Sequence, residues 1–564
     1  METFAKAHSS MLHELARTHG TPLYIYDMER IKRNFLSFKQ AFSGRKSLIC
    51  YALKANANLS ILKLLAQLGS GADCVSIGEV RRALLAGIPA YKIIFSGVGK
   101  RDDEIEEALR ENILFLNVES FEELKRIESI AKSLVDSALG EQCGSVGVFA
   151  EGTNAKFANL PQKRQSSHSP TATPRILEES QAECETSCRE QTALESTFPQ
   201  NAQKSKKVDS RNEAQNVFCS QVDRRQDLGD RIVALQGDSR AHTWAYVTAE
   251  SPQQSAILAP KPTPKPNQAQ KARISIRVNP NIDAKTHPYI STGLHENKFG
   301  VDIDTAKQMY LYAHKSSMLE PVGIHFHIGS QLTELSPLIE ASHKIAQLAR
   351  SLVALGINLR FFDIGGGLGI RYEDEKPIDL YAYAQGILST LSGCDWTIIC
   401  EPGRRIVGDS GLLLTRVISQ KSTESKRFVI VDAGMNDLMR PALYGAFHQP
   451  ILLCENGAES STTNPPMPAD IVGPVCESSD TFCKNIALPP LHNGTLLGFE
   501  NAGAYGHSMS STYNARLRPA EVGIYTDENG AHAKLLRRAE SFAESVQNEL
   551  EALESNYPKT LESH

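Results

Sequence analysis

SLICYALKANANLSILKLLAQLG, Ser47 to Gly69, is an apolar, strand-like run that ends on a lysine and passes through small and amide residues into a helix. Lys54 at that junction is either a snorkelling surface residue or a buried amine with chemistry to do. Seven further β-branched or apolar runs follow before Gly403: GADCVS, KIIFSG, ILFLNV, ISIRVNP, VGIHFHIGS, RFFDIGGG and WTIICEPG. Amphipathic stretches follow several of them, among them IGEVRRALLAGI, SFEELKRIESIAKSL and SPLIEASHKIAQLARSLVALG. Eight strands alternating with helices predict an α/β fold, a TIM-type (β/α)8 barrel, with a doubly wound open sheet as the competing arrangement.

Outward from that core the texture changes twice. Between strands four and five, 140–272 is rich in Ser, Gln, Thr and charge and closes on the proline-rich APKPTPKPNQAQKA. Such composition buries little apolar surface to offset the entropy of ordering, so it predicts a disordered insertion. RIVALQGDSRAHTWAYVTAE (Arg231 to Glu250) is less polar and suits a hairpin or short helix. After Gly403 the rhythm becomes strand-rich, with RIVGDSGLLLTRVISQ, KRFVIVDAG and ADIVGPVCE, which predicts a mainly-β domain. The expected organisation is an N-terminal segment, 1–30, whose strand TPLYIYD pairs with the β domain. Then come the barrel halves, 31–139 and 273–405, flanking the insertion, and a β domain with a terminal helix, 406–564.

The rest of the chain restricts the class of function. A formal net charge of −5 over 564 residues gives no reason to expect nucleic acid or an anionic membrane as partner. The polar N-terminus, METFAKAHSSMLHELARTHG, lacks the apolar core of a signal peptide, and no apolar run approaches the ~20 residues that span a bilayer. Eleven scattered cysteines without CxxC spacing fit a reducing compartment, so the chain is expected to be cytoplasmic.

Active sites of such barrels lie at the C-terminal ends of the strands, with a phosphate commonly held after strands seven and eight. Those positions carry DIGGGLG and EPGRR. Gly365, Gly366 and Gly367 let backbone N–H groups approach a phosphate, and Arg404 adds charge and forked donors. No G-x-G-x-x-G follows the first strand, which weakens a dinucleotide reading. An amine (Lys54), a phosphate site and a carboxylate (Glu401) around one rim point to pyridoxal 5'-phosphate (PLP), the acid keeping the pyridine nitrogen protonated. His325 and His327 in GIHFHIGSQ share a strand face. They are either hydrogen-bonded core histidines or one of them stacks on a cofactor ring. A metal would need further ligands, and none stands at persuasive spacing.

YALKAN, GADCVS, THPYISTG with KFG, HFHIGSQ, DIGGGLG, CEPGR, RPALY, CESSD and NAGAYG occur in this order. As an ordered set they make the chain resemble the diaminopimelate decarboxylases, members of the fold-type III, alanine-racemase-like PLP-dependent decarboxylases. The resemblance covers nearly everything outside 140–272. It implies decarboxylation of meso-2,6-diaminopimelate to L-lysine and CO2, the last step of lysine biosynthesis. It implies that Lys54 carries PLP and that His327 stacks on its ring. Asp73, Ser330, Gly365, Gly366, Gly367, Gly403, Arg404 and Tyr505 would contact the cofactor, with Glu401 on the ring nitrogen. Substrate contacts would fall to Arg404, Arg440, Tyr444, Glu477 and Tyr505, and Cys476 would return a proton to the substrate. The family is a homodimer whose sites are shared, CESSD reaching in from the partner chain.

Residue chemistry agrees with those assignments. Diaminopimelate carries a second amino-acid head, whose carboxylate suits forked arginine donors and whose ammonium suits a glutamate. Two departures stand out: Asn297 precedes KFG where the family usually has Ser, and the crossover from strand four to five is long. Rival readings are a decarboxylase of arginine, ornithine or carboxynorspermidine, and a catalytically silent PLP-binding regulator. Arg440 and Glu477 argue against the first, and intact Lys54, Glu401 and Cys476 against the second.

Overall fold

The computed structural model describes residues 2–144, 271–283, 298–453 and 466–556. The expected disorder of 140–272, the Arg231–Glu250 patch, the THPYISTG motif and Asn297 fall outside those residues, apart from a few at the segment's edges.

Eight short parallel strands close into a barrel: β2 (Ser47–Ala52), β3 (Gly71–Cys74), β4 (Ile93–Phe95), β5 (Phe115–Val118), β6 (Ala272–Arg277), β7 (Leu319–His325), β8 (Phe361–Asp363) and β9 (Thr397–Cys400). They are the eight runs counted in the sequence. The ring closes where β2 pairs with β9, Ser47 opposite Ile398 and Ile49 opposite Cys400. Strands this apolar belong to a sheet covered on both faces, and Ile93, Phe95, Leu116, Ile274, Ile276, Ile324 and Ile398 are all fully or almost fully buried. Helices between strands begin on side-chain caps, Asn58 for Leu59–Gln67 and Ser76 for Ile77–Leu85, which fixes the loops that precede them.

The helix Phe121–Gly144 runs four residues past the boundary set by composition at Gly140. Its register of leucines and isoleucines continues the barrel's outer layer before the polar texture begins.

A second, nine-stranded sheet joins β1 (Leu23–Asp27) to strands that follow the barrel: β10 (Gly411–Ser422), β11 (Arg427–Val431), β12 (Pro450–Leu453), β13 (Met467–Val472), β14 (Thr481–Leu488), β15 (Leu496–Phe499), β16 (Ala520–Asp527) and β17 (Gly530–Arg537). β1 lies antiparallel to β10 and parallel to β16, so the sheet draws on both ends of the chain. The sequence run RIVGDSGLLLTRVISQ turns out to be split: Arg404–Val407 is a helical turn, and β10 starts only at Gly411. Ile406 and Val407 are β-branched or apolar, yet both are buried beneath the barrel mouth in that turn, so tertiary packing overrides their strand propensity. No described helix is long and apolar enough to cross a membrane.

Candidate active site

Most of the eight barrel strands carry an ionisable side chain at or beside their C-terminal ends. Lys54 follows β2 in the short turn Leu53–Ala55, Asp73 lies in β3, Arg277 ends β6, His325 ends β7, Asp363 ends β8 and Glu401 follows β9. All but Lys54 are buried, whereas its side chain is 40% exposed into the mouth. Its ammonium stands 3.5 Å from Asp73. Burial works against that charge, but Asp73, Tyr505 and Glu401 outweigh it and hold the amine above the ordinary lysine range. Asp73 itself is raised, by burial first and by Glu401 second.

The glycine loop packs too closely for side chains. A Cβ on Gly366 would meet the Glu401 carbonyl oxygen at 2.0 Å, and one on Gly367 the Gly329 carbonyl oxygen at 2.1 Å. Gly365 and Gly367 also have positive φ, at 63° and 96°. Two of the three N–H groups expected to face a phosphate are already engaged. Gly365 N–H donates to Asp363 Oδ1 at 2.9 Å, and Gly366 N–H to His327 Nδ1 at 3.1 Å. An amide only donates, so Nδ1 accepts and the ring proton sits on Nε2. Burial, with Lys54 and Arg277 nearby, pushes the His327 pKa well down. His327 is therefore a neutral, oriented imidazole.

Across the mouth, Arg404 donates to Ser330 Oγ at 3.0 Å and to the Tyr372 hydroxyl at 2.6 Å, with the Tyr505 ring 4.8 Å away. Arg440 lies 4.5 Å over the Tyr372 ring and bonds His448 Nε2 at 2.8 Å. Tyr444, on the same short helix Arg440–Tyr444, is half-buried and adds its field to both arginines. Arg404 and Arg440 are 7% and 6% exposed, and the hydrogen-bond partners described for them, Tyr372, Ser330 and His448, include no carboxylate. Gly403, ahead of Arg404, is held against the Lys54 loop: a Cβ there would stand 3.0 Å from Ala55 Cβ.

The loop after Lys54 is tied to the β domain. Ala55 O accepts from Tyr505 N at 2.8 Å and Ser508 Oγ at 3.1 Å, and Asn58 Nδ2 donates to the buried Glu521 at 2.9 Å. Tyr505 adopts φ +58° to make that contact. Lys54, Asp73, His327, Ser330, the glycines, Glu401, Gly403, Arg404, Arg440, Tyr444 and Tyr505 thus gather around one mouth. Cys476 and Glu477 do not bond into that cluster. They are exposed on the loop between β13 and β14, where Cys476 N donates to Asn514 Oδ1 at 2.9 Å and Ser479 Oγ to Glu477 Oε1 at 2.6 Å. Ser479 and Tyr513 hold the Glu477 carboxylate below its ordinary range.

Sequence reasoning passed over Tyr372, His448, Asp363 and the pair Arg277–Glu119, whose atoms approach to 3.4 Å beside the mouth. The signal for Asp363 and Arg277 was their place at the C-terminal end of a barrel strand. Tyr372 and His448 lie in loops and gave none.

The arrangement fits PLP. An amine opens into the mouth, a buried Glu401 has an oxygen, Oε1, without a hydrogen-bond partner, and a side-chain-free glycine loop lies beside cationic Arg404. A closed parallel barrel with this rim defines a PLP-dependent enzyme of the barrel class. The family described as "Pyridoxal-dependent decarboxylase, pyridoxal binding domain" matches residues 28–140 and 240–408, its second block beginning inside the segment that composition set apart. The chain is 45% identical to a diaminopimelate decarboxylase of Helicobacter pylori, over 96% of this chain and 98% of that one. It is 41% identical to one of Campylobacter jejuni, over 97% and 99%. A crystal structure of diaminopimelate decarboxylase from Helicobacter pylori complexed with L-lysine superposes with a TM-score of 0.68 at 45% identity, covering 96% of this chain and 100% of that one. The chain belongs to the diaminopimelate decarboxylase family.

Proposed function

We propose that the protein decarboxylates meso-2,6-diaminopimelate to L-lysine and CO2, as a cytoplasmic homodimer. The observation that carries this reading is the pair Arg404 and Arg440. Two buried guanidiniums whose described hydrogen-bond partners include no carboxylate are costly unless an anion completes them. Two anions fit, a cofactor phosphate beside Arg404 and Ser330 and the substrate's distal carboxylate beside Arg440 and Tyr444. A substrate that ends in a bare amine would leave Arg440 unsatisfied, which favours diaminopimelate over ornithine.

When bound, PLP supplies an electron sink for the pair left on the α-carbon as CO2 departs. Lys54 would carry the cofactor, and Glu401 would accept the proton of the ring nitrogen. His327, neutral and fixed through Nδ1, offers a flat face to the ring without competing for charge. Asp73, 3.5 Å from the Lys54 amine, would hold it as an ammonium whenever Lys54 is not bonded to the cofactor. Cys476 of the partner subunit donates the proton that replaces CO2, and its thiolate is reprotonated from solvent. Glu477 of the partner subunit takes the distal ammonium. Their exposure in one chain, with described bonds to Asn514 and Ser479 rather than to the Lys54 cluster, supports a site completed by a second copy. Cys50, Cys74, Cys394, Cys400, Cys476 and Cys483 are unbridged, in keeping with a reducing compartment.

Purified protein given PLP and meso-diaminopimelate should turn yellow and release CO2 and lysine in equal amounts, and Lys54→Ala should abolish both colour and turnover. Turnover of ornithine but not of diaminopimelate would overturn the substrate. A protein that stays colourless with PLP would overturn the whole reading.

A further inference from the structure

Three polar side chains are buried together below the mouth. β7, β8 and the segment after β9 are neighbours in the barrel and bring His325, Asp363 and Glu401 to one depth. Their exposures are 1%, 0% and 5%, and a nitrogen or oxygen of each lies within 4.8 Å of the others. His325 Nε2 stands 3.4 Å from Glu401 Oε2. Asp363 Oδ1 accepts the Gly365 N–H, while Asp363 Oδ2 and Glu401 Oε1 have no hydrogen-bond partner.

Two carboxyl groups this close, out of water, cannot both be ionised. The surroundings decide which keeps the proton. Glu401 has an imidazole at 3.4 Å and the Lys54 ammonium acting on it; Asp363 has one backbone amide and, from β2 and β9, the buried thiols of Cys50 and Cys400. Asp73, on β3, adds negative charge on the same side and opposes a second anion at Asp363. His327 faces Glu401 as a neutral ring.

We propose that Asp363 is a neutral carboxylic acid whose proton is directed at Glu401, and that Asp363 and His325 are positioning residues that keep Glu401 as the ionised carboxylate facing the cofactor ring. One proton on Asp363 Oδ2 serves both oxygens that lack partners, and the Glu401 carboxylate, with about four lone-pair sites, still has room to accept the ring nitrogen's proton. Burial and then Glu401 push the Asp363 carboxyl well above the ordinary range. Burial would also raise Glu401, but His325 and Lys54 outweigh it and hold Glu401 low. The inference rests on the reading of Glu401 as the ring-nitrogen partner and adds what sets its charge.

Infrared difference spectra between wild type and Asp363→Asn test it, first without cofactor and then with PLP. At neutral pH the wild type should show a neutral-carboxyl C=O band that Asp363→Asn lacks. Asparagine keeps an acceptor for Gly365 and a donor for Glu401, so its PLP dissociation constant should stay within about threefold of wild type. Asp363→Leu removes the donor and should weaken PLP binding about tenfold or more, with near-UV circular dichroism reporting its fold. A missing band, or a tenfold loss in Asp363→Asn, overturns the neutral acid. Wild-type affinity in Asp363→Leu overturns the positioning role. If the leucine variant does not fold, the band and the asparagine variant decide. Failure of the wild type to bind PLP would overturn the role of Glu401, whereas the cofactor-free band tests Asp363 by itself.

Discussion

Arg440 is held from two sides, by the Tyr372 ring and by His448 Nε2, and His448 Nδ1 bonds Glu500 O at 2.8 Å. Arginine only donates, so Nε2 must accept and the imidazole must be neutral. Burial and the charge of Arg440 push His448 from 6.5 down to about 3. The unfolded chain therefore takes up a proton below about 6.5 that the folded chain refuses until about 3, and stability rises with pH across that window. The effect is full above the upper value and is lost on acidification at about 1.4 kcal/mol per pH unit, reaching about 2 kcal/mol at pH 5. Denaturant titrations of wild type and His448→Gln at pH 7 and pH 5 should show wild type losing about 2 kcal/mol more than the variant between the two. An equal loss in both would refute a neutral, buried His448. At this scale the sequence was most informative where a residue sits at a strand end. Lys54 and Glu401 were readable as rim residues from strand position and chemistry, because a barrel presents those ends to its mouth, whereas the choice of His327 over His325 came only from the family resemblance. Tyr372 and His448 were not, since their roles come from contacts across 32 and 8 residues of chain with Arg404 and Arg440.

The eight barrel strands were legible because buried β-branched runs between turn residues leave few other placements. Loop geometry was not, because it depends on how closely neighbouring loops approach. The glycine loop after β8 shows the difference. Its glycines read as backbone donors to a phosphate, yet Gly366 is confined by the Glu401 carbonyl and its N–H orients His327. Gly366→Ala should force the loops after β8 and β9 apart, since the clash at 2.0 Å is with backbone and not with a movable side chain. The expected result is at least about a tenfold loss of PLP affinity together with a lower melting temperature. Gly78→Ala is the control. A Cβ there would meet nothing nearer than Ser76 Oγ at 3.6 Å, within the helix Ile77–Leu85. Stability should hold or rise by up to about 1 kcal/mol. Equal behaviour of the two variants would show that the loop is not confined as its geometry requires. The strand that failed, at Ile406 and Val407, failed for a related reason: an arginine-bearing turn at the mouth took precedence over local propensity.

Across the whole molecule, the residues of the proposed reaction are divided between a barrel that holds Lys54 and a β domain that holds Cys476 and Glu477 on an exposed loop. The family resemblance implies that both halves serve one reaction, but no periodicity or spacing says which chain's loop serves which barrel. If the loop serves its own barrel, mixing two defective variants restores nothing. If it serves the partner's barrel in a homodimer, Lys54→Ala and Cys476→Ala complement each other. A heterodimer then has one site carrying both substitutions and one carrying neither. Random pairing of equal amounts makes half the dimers heterodimers, so about a quarter of all sites are intact. Unfolding and refolding the two variants together, or co-expressing them, should restore about 25% of wild-type turnover from two preparations that are each nearly inactive. Restoration should also fall with dilution, because the active unit is then a two-chain assembly. Mixtures no more active than the separate variants would place Cys476 in the same chain's site and remove the shared homodimer from the reading.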